Sequence, residues 1–276
     1  MNTNGTLQEG FEKNSFHMKY ILSIALPLFF VAIFIFIVYT MNQSYSTSGD
    51  AVIRKIAGQI LNKDPNSLGT KDFLEITELN LSGQTLEDIR LLKKFKNLRE
   101  LDISRLEVSV AKIPVWKTIL IKIHIIEKPV PGRGGINEKN NLLNLQPLRY
   151  LSRLEELNLK FTPIESLAPL SGLKNLQNLD IFGTGVFDLG PVGKLSNLKY
   201  LNLGQTKISD LKPLRDLSKL QRLNIYDTKI SDIEPARNLT NLIYLDIRKC
   251  SNILYNQIDD LQTSLPELVI FDGREK

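Results

Sequence analysis

The amino-acid sequence predicts an α/β solenoid, in which short units stack into a horseshoe with a parallel β-sheet on its concave face. Four consecutive stretches, which begin at Leu154, Leu176, Leu198 and Leu220, superimpose when each is laid on the next. In each stretch leucines alternate with other residues and then recur along a return arm. A constant period of about 22 residues is typical of proteins whose units are stable only when stacked.

The composition limits the classes of function that we expect. The 276 residues carry a net charge of +5 without a dense run of lysine or arginine, so no nucleic-acid surface is predicted. Cys250 is the single cysteine, so no intrachain disulfide can form, and its alignment within the repeat predicts a buried, inert thiol. No motif of a nucleophilic, metal-dependent or phosphate-binding enzyme occurs. We therefore expect a protein without catalytic activity, cofactor or metal.

The N-terminal part predicts a membrane anchor. After a short tail at 1–19, residues 20–41 form a transmembrane helix, and 42–49 form a polar linker. The apolar run from Tyr20 to Tyr39 spans about 30 Å as a helix, which is the thickness of the hydrocarbon core. The alternatives are a cleaved signal peptide and a buried soluble helix. The run is longer than the apolar core of a signal peptide, and no small-residue cleavage motif follows it.

The charges beside this segment predict its orientation. Lys13 and Lys19 precede the segment closely, whereas the first basic residues after it are Arg54 and Lys55. Because basic residues concentrate on the cytoplasmic side, we expect a single-pass protein with a cytoplasmic N-terminus and an extracytoplasmic repeat domain.

Residues 50–75 predict a helical cap that closes the first unit. Asp50 is the expected N-cap, and Pro65 and Gly69 end the helix. The apolar residues of this helix recur on one face, which the cap would bury. They are Val52, Ile53, Ile56, Ile60 and Leu61.

Residues 76–276 predict the repeat domain, with about nine strands. The strands belong to units that begin at Ile76, Leu98, Leu120, Leu154, Leu176, Leu198, Leu220, Leu242 and Leu265. The long third interval predicts an insertion near 129–140. A proline recurs once in each regular return arm and favours a turn or a short 3₁₀ segment there.

One inward position is polar, and we expect it to form a structural ladder. A buried hydroxyl needs a hydrogen-bond partner, and the nearest candidates are backbone groups of its own or the adjacent coil. The ladder residues are Asn140, Thr162, Thr184, Thr206, Thr228 and Cys250.

The consensus LxxLxLxxTxIxDLxPLxxLxx resembles the bacterial leucine-rich repeats of the internalin type, whose units have about 22 residues. The segment RKIAGQILNKDPNSLGTKDFLEITELNLSG is similar to the helical cap that often precedes such arrays. The resemblance covers residues 50–276. It implies the repeat fold and surface recognition, but no particular ligand, because such arrays have many different partners.

Exposed aromatic residues and arginines on consecutive strands predict a partner-binding patch on the concave face. The alternative is that these side chains only stabilise the sheet by cross-strand contacts. The N-terminal half of this face contains Glu78, Arg99, Glu100 and Arg105, and we expect a plain solvated surface there. The predicted patch consists of Phe161, Phe182, Tyr200, Arg222, Tyr226, Tyr244 and Arg248.

These observations predict a membrane-anchored protein that binds a protein or peptide through its concave face. One alternative is a cell-envelope scaffold that assembles by contacts between solenoids. Another is a binder of an anionic glycan, which the net charge of +5 would favour.

Overall fold

The computed structural model describes residues 48–86, 88–108 and 142–273. The chain divides into two units, 1–47 and 48–276, and every described residue belongs to the second. The predicted tail and transmembrane helix, and nearly all of the linker, therefore lie outside the described residues. Among the residues that are described, no helix is both long and apolar enough to cross a membrane.

Two helices precede the array, α1 (Ser48–Leu61) and α2 (Thr70–Glu75). α1 begins two residues before Asp50, the expected N-cap. The segment that contains Pro65 separates the two helices. At the start of α2 the backbone N–H of Gly69 donates a 2.7 Å hydrogen bond to the Asp72 carboxylate, which satisfies one of the amides that a helix start leaves unpaired.

The apolar face of α1 packs against the first unit as predicted, except for Ile60. Ile53 and Ala57 are fully buried. The helical pattern places Ile60 on the same face, but this side chain is 51% exposed. Leu61 packs against the core at the last turn instead, and Ile60 lies beside the concave face.

Eight parallel strands of three residues each form the main sheet of the described chain. They pair in chain order, and most neighbours are one repeat period apart. The strands are β1 (Glu78–Asn80), β3 (Glu100–Asp102), β5 (Glu156–Asn158), β6 (Asn178–Asp180), β7 (Tyr200–Asn202), β8 (Arg222–Asn224), β9 (Tyr244–Asp246) and β10 (Val269–Phe271).

The third strand of the sheet differs from the prediction. β3 pairs directly with β5, so that Glu100 lies opposite Glu156. The prediction of the third strand at Leu120 is therefore wrong. The second unit extends from Leu98 to Arg153, which is more than two and a half periods. The predicted insertion at 129–140 lies outside the described residues and within this longer one.

Six return arms of the described chain contain a short 3₁₀ helix, as the recurring prolines predict. Proline stands in the first turn of four of them, where its missing N–H costs no hydrogen bond. The 3₁₀ helices are Arg90–Lys94, Gln146–Tyr150, Ala168–Leu170, Val192–Lys194, Lys212–Leu214 and Glu234–Asn238.

A second, two-stranded sheet joins β2 (Thr85–Leu86) to β4 (Glu107–Val108).

The threonine ladder is buried, and its hydroxyl groups donate to backbone carbonyls. Thr184, Thr206 and Thr228 donate to the residue three positions earlier, at 2.6–2.8 Å. Thr162 instead donates to Ile103 of the preceding coil, at 2.9 Å. The buried Cys250 thiol lies 3.0 Å from the Ile225 carbonyl, and Asn140 lies outside the described residues.

A second polar ladder was not predicted. An asparagine before the first leucine of a unit donates from its side-chain amide to a backbone carbonyl 23 residues earlier, at 2.6–2.8 Å. The recurrence of asparagine one residue before this leucine was the sequence signal for it. These bonds tie each coil to the coil before it at Asn97, Asn175, Asn197 and Asn241.

The last unit departs from the period. Val269 of β10 pairs with Tyr244, an interval slightly longer than one period, and α3 (Tyr255–Ser264) replaces the 3₁₀ return arm. The strand in this unit was predicted, but this helix was not. The side-chain amide of Gln262 donates to the Leu268 carbonyl at 3.0 Å.

Candidate functional site

Three columns of side chains line the concave face, because alternate residues of each strand point away from the core. The middle column contains Asn80, Asp102, Asn158, Asp180, Asn202, Asn224 and Asp246. The first column, two residues earlier, contains Glu78, Glu100, Glu156, Asn178, Tyr200, Arg222 and Tyr244. The turn column, two residues after the middle one, contains Ser82, Ser104, Lys160, Phe182, Gly204, Tyr226 and Arg248.

The middle column shapes the backbone. In all seven of these coils the side-chain oxygen accepts a hydrogen bond from the backbone N–H two residues later, at 2.8–3.2 Å. Such bonds form Asx turns, which end the strand and reverse the chain. The recurrence of Asn and Asp in this column therefore has a structural reason.

The residue after each turn-column residue adopts the left-handed backbone conformation, with φ between 51° and 69°. Glycine fills this position at Gly83 and Gly183, but Phe161 holds it with φ 52°. A bulky residue rarely adopts this conformation, so the repeat geometry imposes it. This conformation was not predicted, and it turns the Phe161 ring toward the next coil, where a Cβ atom on Gly183 would lie 2.4 Å from it.

The structure brings together the predicted aromatic residues of the turn column and the adjacent Phe161. The ring centroids of Phe161 and Phe182 are 5.3 Å apart in an edge-to-face arrangement. Phe182 also stacks with Tyr226, with centroids 6.4 Å apart, although these residues are two units apart. Gly204 of the intervening unit makes this possible, since a Cβ atom there would lie 2.7 Å from the Phe182 ring.

Cations surround these rings. The Arg105 guanidinium lies 5.8 Å from the Phe161 centroid, and the Lys249 ammonium lies 5.1 Å from that of Tyr226. Arg248 lies 5.6 Å from the Tyr226 centroid, but two of its nitrogens also donate to the buried Asp246 carboxylate. These two hydrogen bonds hold the Arg248 side chain in place, and they also raise its pKa.

The other predicted residues share the first column. Tyr200, Arg222 and Tyr244 pair in register on β7, β8 and β9. The Arg222 guanidinium lies 5.1 Å from the Tyr244 ring centroid. The ring centroids of Tyr244 and Phe271 of β10 are 5.0 Å apart. Burial, and then the nearby Asp180 carboxylate, raise the pKa of the half-buried Tyr200. The predicted patch thus consists of two clusters on opposite sides of the middle column.

The N-terminal half of the face is an acidic groove of about 630 Å³, which differs from the expected plain surface. Glu78, Glu100 and Glu156 lie side by side on three strands. Burial and the charges of the two neighbours raise the pKa of Glu100. The row of three glutamates was not predicted, because the incorrect third strand at Leu120 would have placed Lys122 between Glu100 and Glu156.

Metal binding has no support in the described part of the chain. No group of three histidine, cysteine, aspartate or glutamate residues there has the geometry to hold an ion. The concave face presents carboxylates, aromatic rings and guanidinium groups.

Comparisons with known proteins identify the fold. No protein-family model matches the chain, and no curated protein matches its sequence. A leucine-rich repeat protein of Leptospira interrogans superimposes with a TM-score of 0.51 at 21% identity, over 72% of this chain and 50% of that one.

Other solved structures are also similar. Internalin C2 of Listeria monocytogenes gives a TM-score of 0.48 at 24% identity, over 73% of this chain and 89% of that one. A plant peptide hormone receptor, RGFR1 in complex with RGF2, gives 0.47 at 17% identity, over 71% of this chain and 27% of that one. The superposition on the Leptospira protein gives the chain a leucine-rich repeat fold, and at 21% identity it shows the fold alone.

Proposed function

We propose that this chain is a membrane-anchored leucine-rich repeat protein that binds a protein or peptide through its concave face. The observation that supports it best is the pair of aromatic and cationic clusters on that face. One comprises Tyr200, Arg222 and Tyr244, and the other comprises Phe161, Phe182, Tyr226 and Arg248.

These side chains have the properties of binding hot spots. Aromatic rings offer a large contact area with few rotatable bonds, and arginine offers planar donors. The Thr and Asn ladders and the Asx turns form the rigid frame that holds them. A preorganised surface loses little entropy when it binds. The acidic groove argues against the anionic-glycan alternative, because carboxylates repel such a ligand.

The clusters are tested by selection of peptides from a random displayed library on the full chain in mild detergent. We expect selected peptides to lose at least about tenfold in affinity for the variant Tyr200→Ala/Tyr226→Ala/Tyr244→Ala, since hot-spot truncations cost about 1–2 kcal/mol or more each. The matched control removes three exposed aromatic rings outside the main sheet, Tyr150, Phe187 and Tyr255. Equal affinity of the selected peptides for wild type and the concave variant would refute the clusters as a binding site.

We also propose that residues 20–41 anchor the chain, with the repeat domain extracytoplasmic. The support is the length of the apolar run and the closeness of Lys13 and Lys19 to it. Protease added to intact cells should degrade an epitope tag fused after Lys276. Protection of that tag in intact cells, together with its cleavage after lysis, would show the opposite orientation.

A further inference from the structure

The first column changes its chemistry along the array. On β1, β3 and β5 it presents Glu78, Glu100 and Glu156, and from β7 onward it presents Tyr200 and then Arg222. Neighbouring strands lie about 4.8 Å apart, so the three carboxylates form a closely spaced row. The acidic row and the aromatic cluster are thus two parts of one surface.

Ion pairing within the described chain leaves this row uncompensated. No lysine or arginine there forms a salt bridge with Glu78, Glu100 or Glu156, and Arg99 pairs with Glu155 at 3.2 Å instead. Glu156 accepts a neutral hydrogen bond from the side-chain amide of Asn178 at 2.8 Å, which leaves its charge unpaired. Like charges at neighbouring sheet positions repel one another and lower stability. The array would pack equally well without them, because all three side chains point away from the core.

The groove that holds the row has an apolar group at each end. Ile60 of α1, which the core leaves half exposed, lines one end, and the Tyr200 ring lines the other. The sheet between β1 and β7 covers four strand intervals, or about 19 Å. An extended peptide of about six residues has this length.

We propose that this groove binds a basic peptide segment of the partner, with its lysine or arginine side chains on the glutamate row and flanking apolar residues on Ile60 and Tyr200. This inference rests on the proposed function, because it assigns the partner of the same face. The peptide's charge complements the row: three carboxylates without a cationic partner in the described chain can accept charge-assisted hydrogen bonds from cations, and guanidinium groups can bind them bidentately.

The probe is the labelled peptide acetyl-Leu-Arg-Gly-Arg-Gly-Arg-Trp, measured by fluorescence anisotropy with the full chain in mild detergent. Its three arginines match the three glutamates in number, and its terminal residues are apolar. A peptide with citrulline in place of each arginine has the same shape without the charge. We expect the arginine peptide to bind more tightly, and added salt to weaken that binding.

The test variant is Glu78→Gln/Glu100→Gln/Glu156→Gln, which removes repulsion and so should remain folded, as thermal unfolding will verify. The matched control is Asp216→Asn/Glu234→Gln/Asp259→Asn, which changes the net charge equally at exposed positions outside the main sheet. We expect about tenfold weaker binding to the test variant and less than about twofold to the control, since each exposed ion pair contributes modestly.

Three outcomes would overturn the inference. These are equal weakening by both charge-removing variants, equal binding of the citrulline peptide, and no binding of the arginine peptide to wild type at millimolar concentration. Library peptides that depend on Tyr200, Tyr226 and Tyr244 but not on the glutamates would also overturn it and leave the proposed function standing. Library peptides that depend on neither set would overturn both.

Discussion

At the level of single residues, the period explains why the same residue type recurs at one position. The Asn or Asp of the middle column accepts from the backbone two residues later in seven coils, and the buried threonines donate to carbonyls. Gly204 and Phe161 allow the aromatic rings of the site to contact one another. The missing side chain of Gly204 lets Phe182 reach Tyr226, and the left-handed Phe161 reaches Phe182.

The threonine ladder predicts a measurable loss of stability in Thr206→Val. Valine keeps the shape but leaves the buried Leu203 carbonyl without its 2.6 Å donor. We expect the free energy of unfolding to fall by about 1–3 kcal/mol in chemical denaturation. Thr240→Val at an exposed position is the control and should change it by less than about 0.5 kcal/mol. A loss at Thr206 no larger than at Thr240 would contradict the ladder's role.

At the level of strands and helices, the pairing of β3 with β5 creates the acidic row. Partial desolvation at the floor of the groove, and then the flanking charges of Glu78 and Glu156, raise the pKa of the exposed Glu100. The folded state therefore favours the protonated carboxyl, and the associated stability is present below the unfolded pKa, about 4.3. This stability is lost as the pH rises through the folded pKa.

Glu100→Gln should therefore stabilise the protein at pH 7 and not at pH 3. Because Glu100 is exposed and solvent screens its charge, we expect only about 0.2–1 kcal/mol at pH 7. Urea unfolding at the two pH values measures the difference. A loss of stability at pH 7 would contradict the repulsion, since glutamine removes the charge while keeping the size.

Across the molecule, the described units form one continuous array in spite of the long second unit. The backbone N–H of Ile103 donates to the Asn158 carbonyl, and that of Glu156 donates to the Arg99 carbonyl. The strands before and after the insertion are therefore bonded directly to each other. Thr162 donates to Ile103 across the same junction. The sheet and its hydrogen bonds are therefore continuous across this junction within the described residues.

Deletion of 109–142 should consequently leave a folded array. It joins 98–108 to 143–153 and restores a unit of one regular period. Shorter loops close at a lower entropic cost, so the stability should be equal or higher. Circular dichroism during urea unfolding should show a single cooperative transition at or above the wild-type midpoint. A broadened transition, or a markedly lower midpoint, would show that the inserted residues support the array.

Local spacing in the sequence was enough to predict the unit, its inward and outward residues and the 3₁₀ return arms. Strand side chains alternate with a period of two, and proline cannot donate to a sheet, so both signals act within one unit. The choice of neighbouring strands depends on contacts between units. LIKIHI at 120–125 has the same alternation as the strands of the main sheet, and no local rule shows that it is not the neighbour of β3. The pairing of backbones placed Glu100 beside Glu156, and the acidic groove exists because of that pairing.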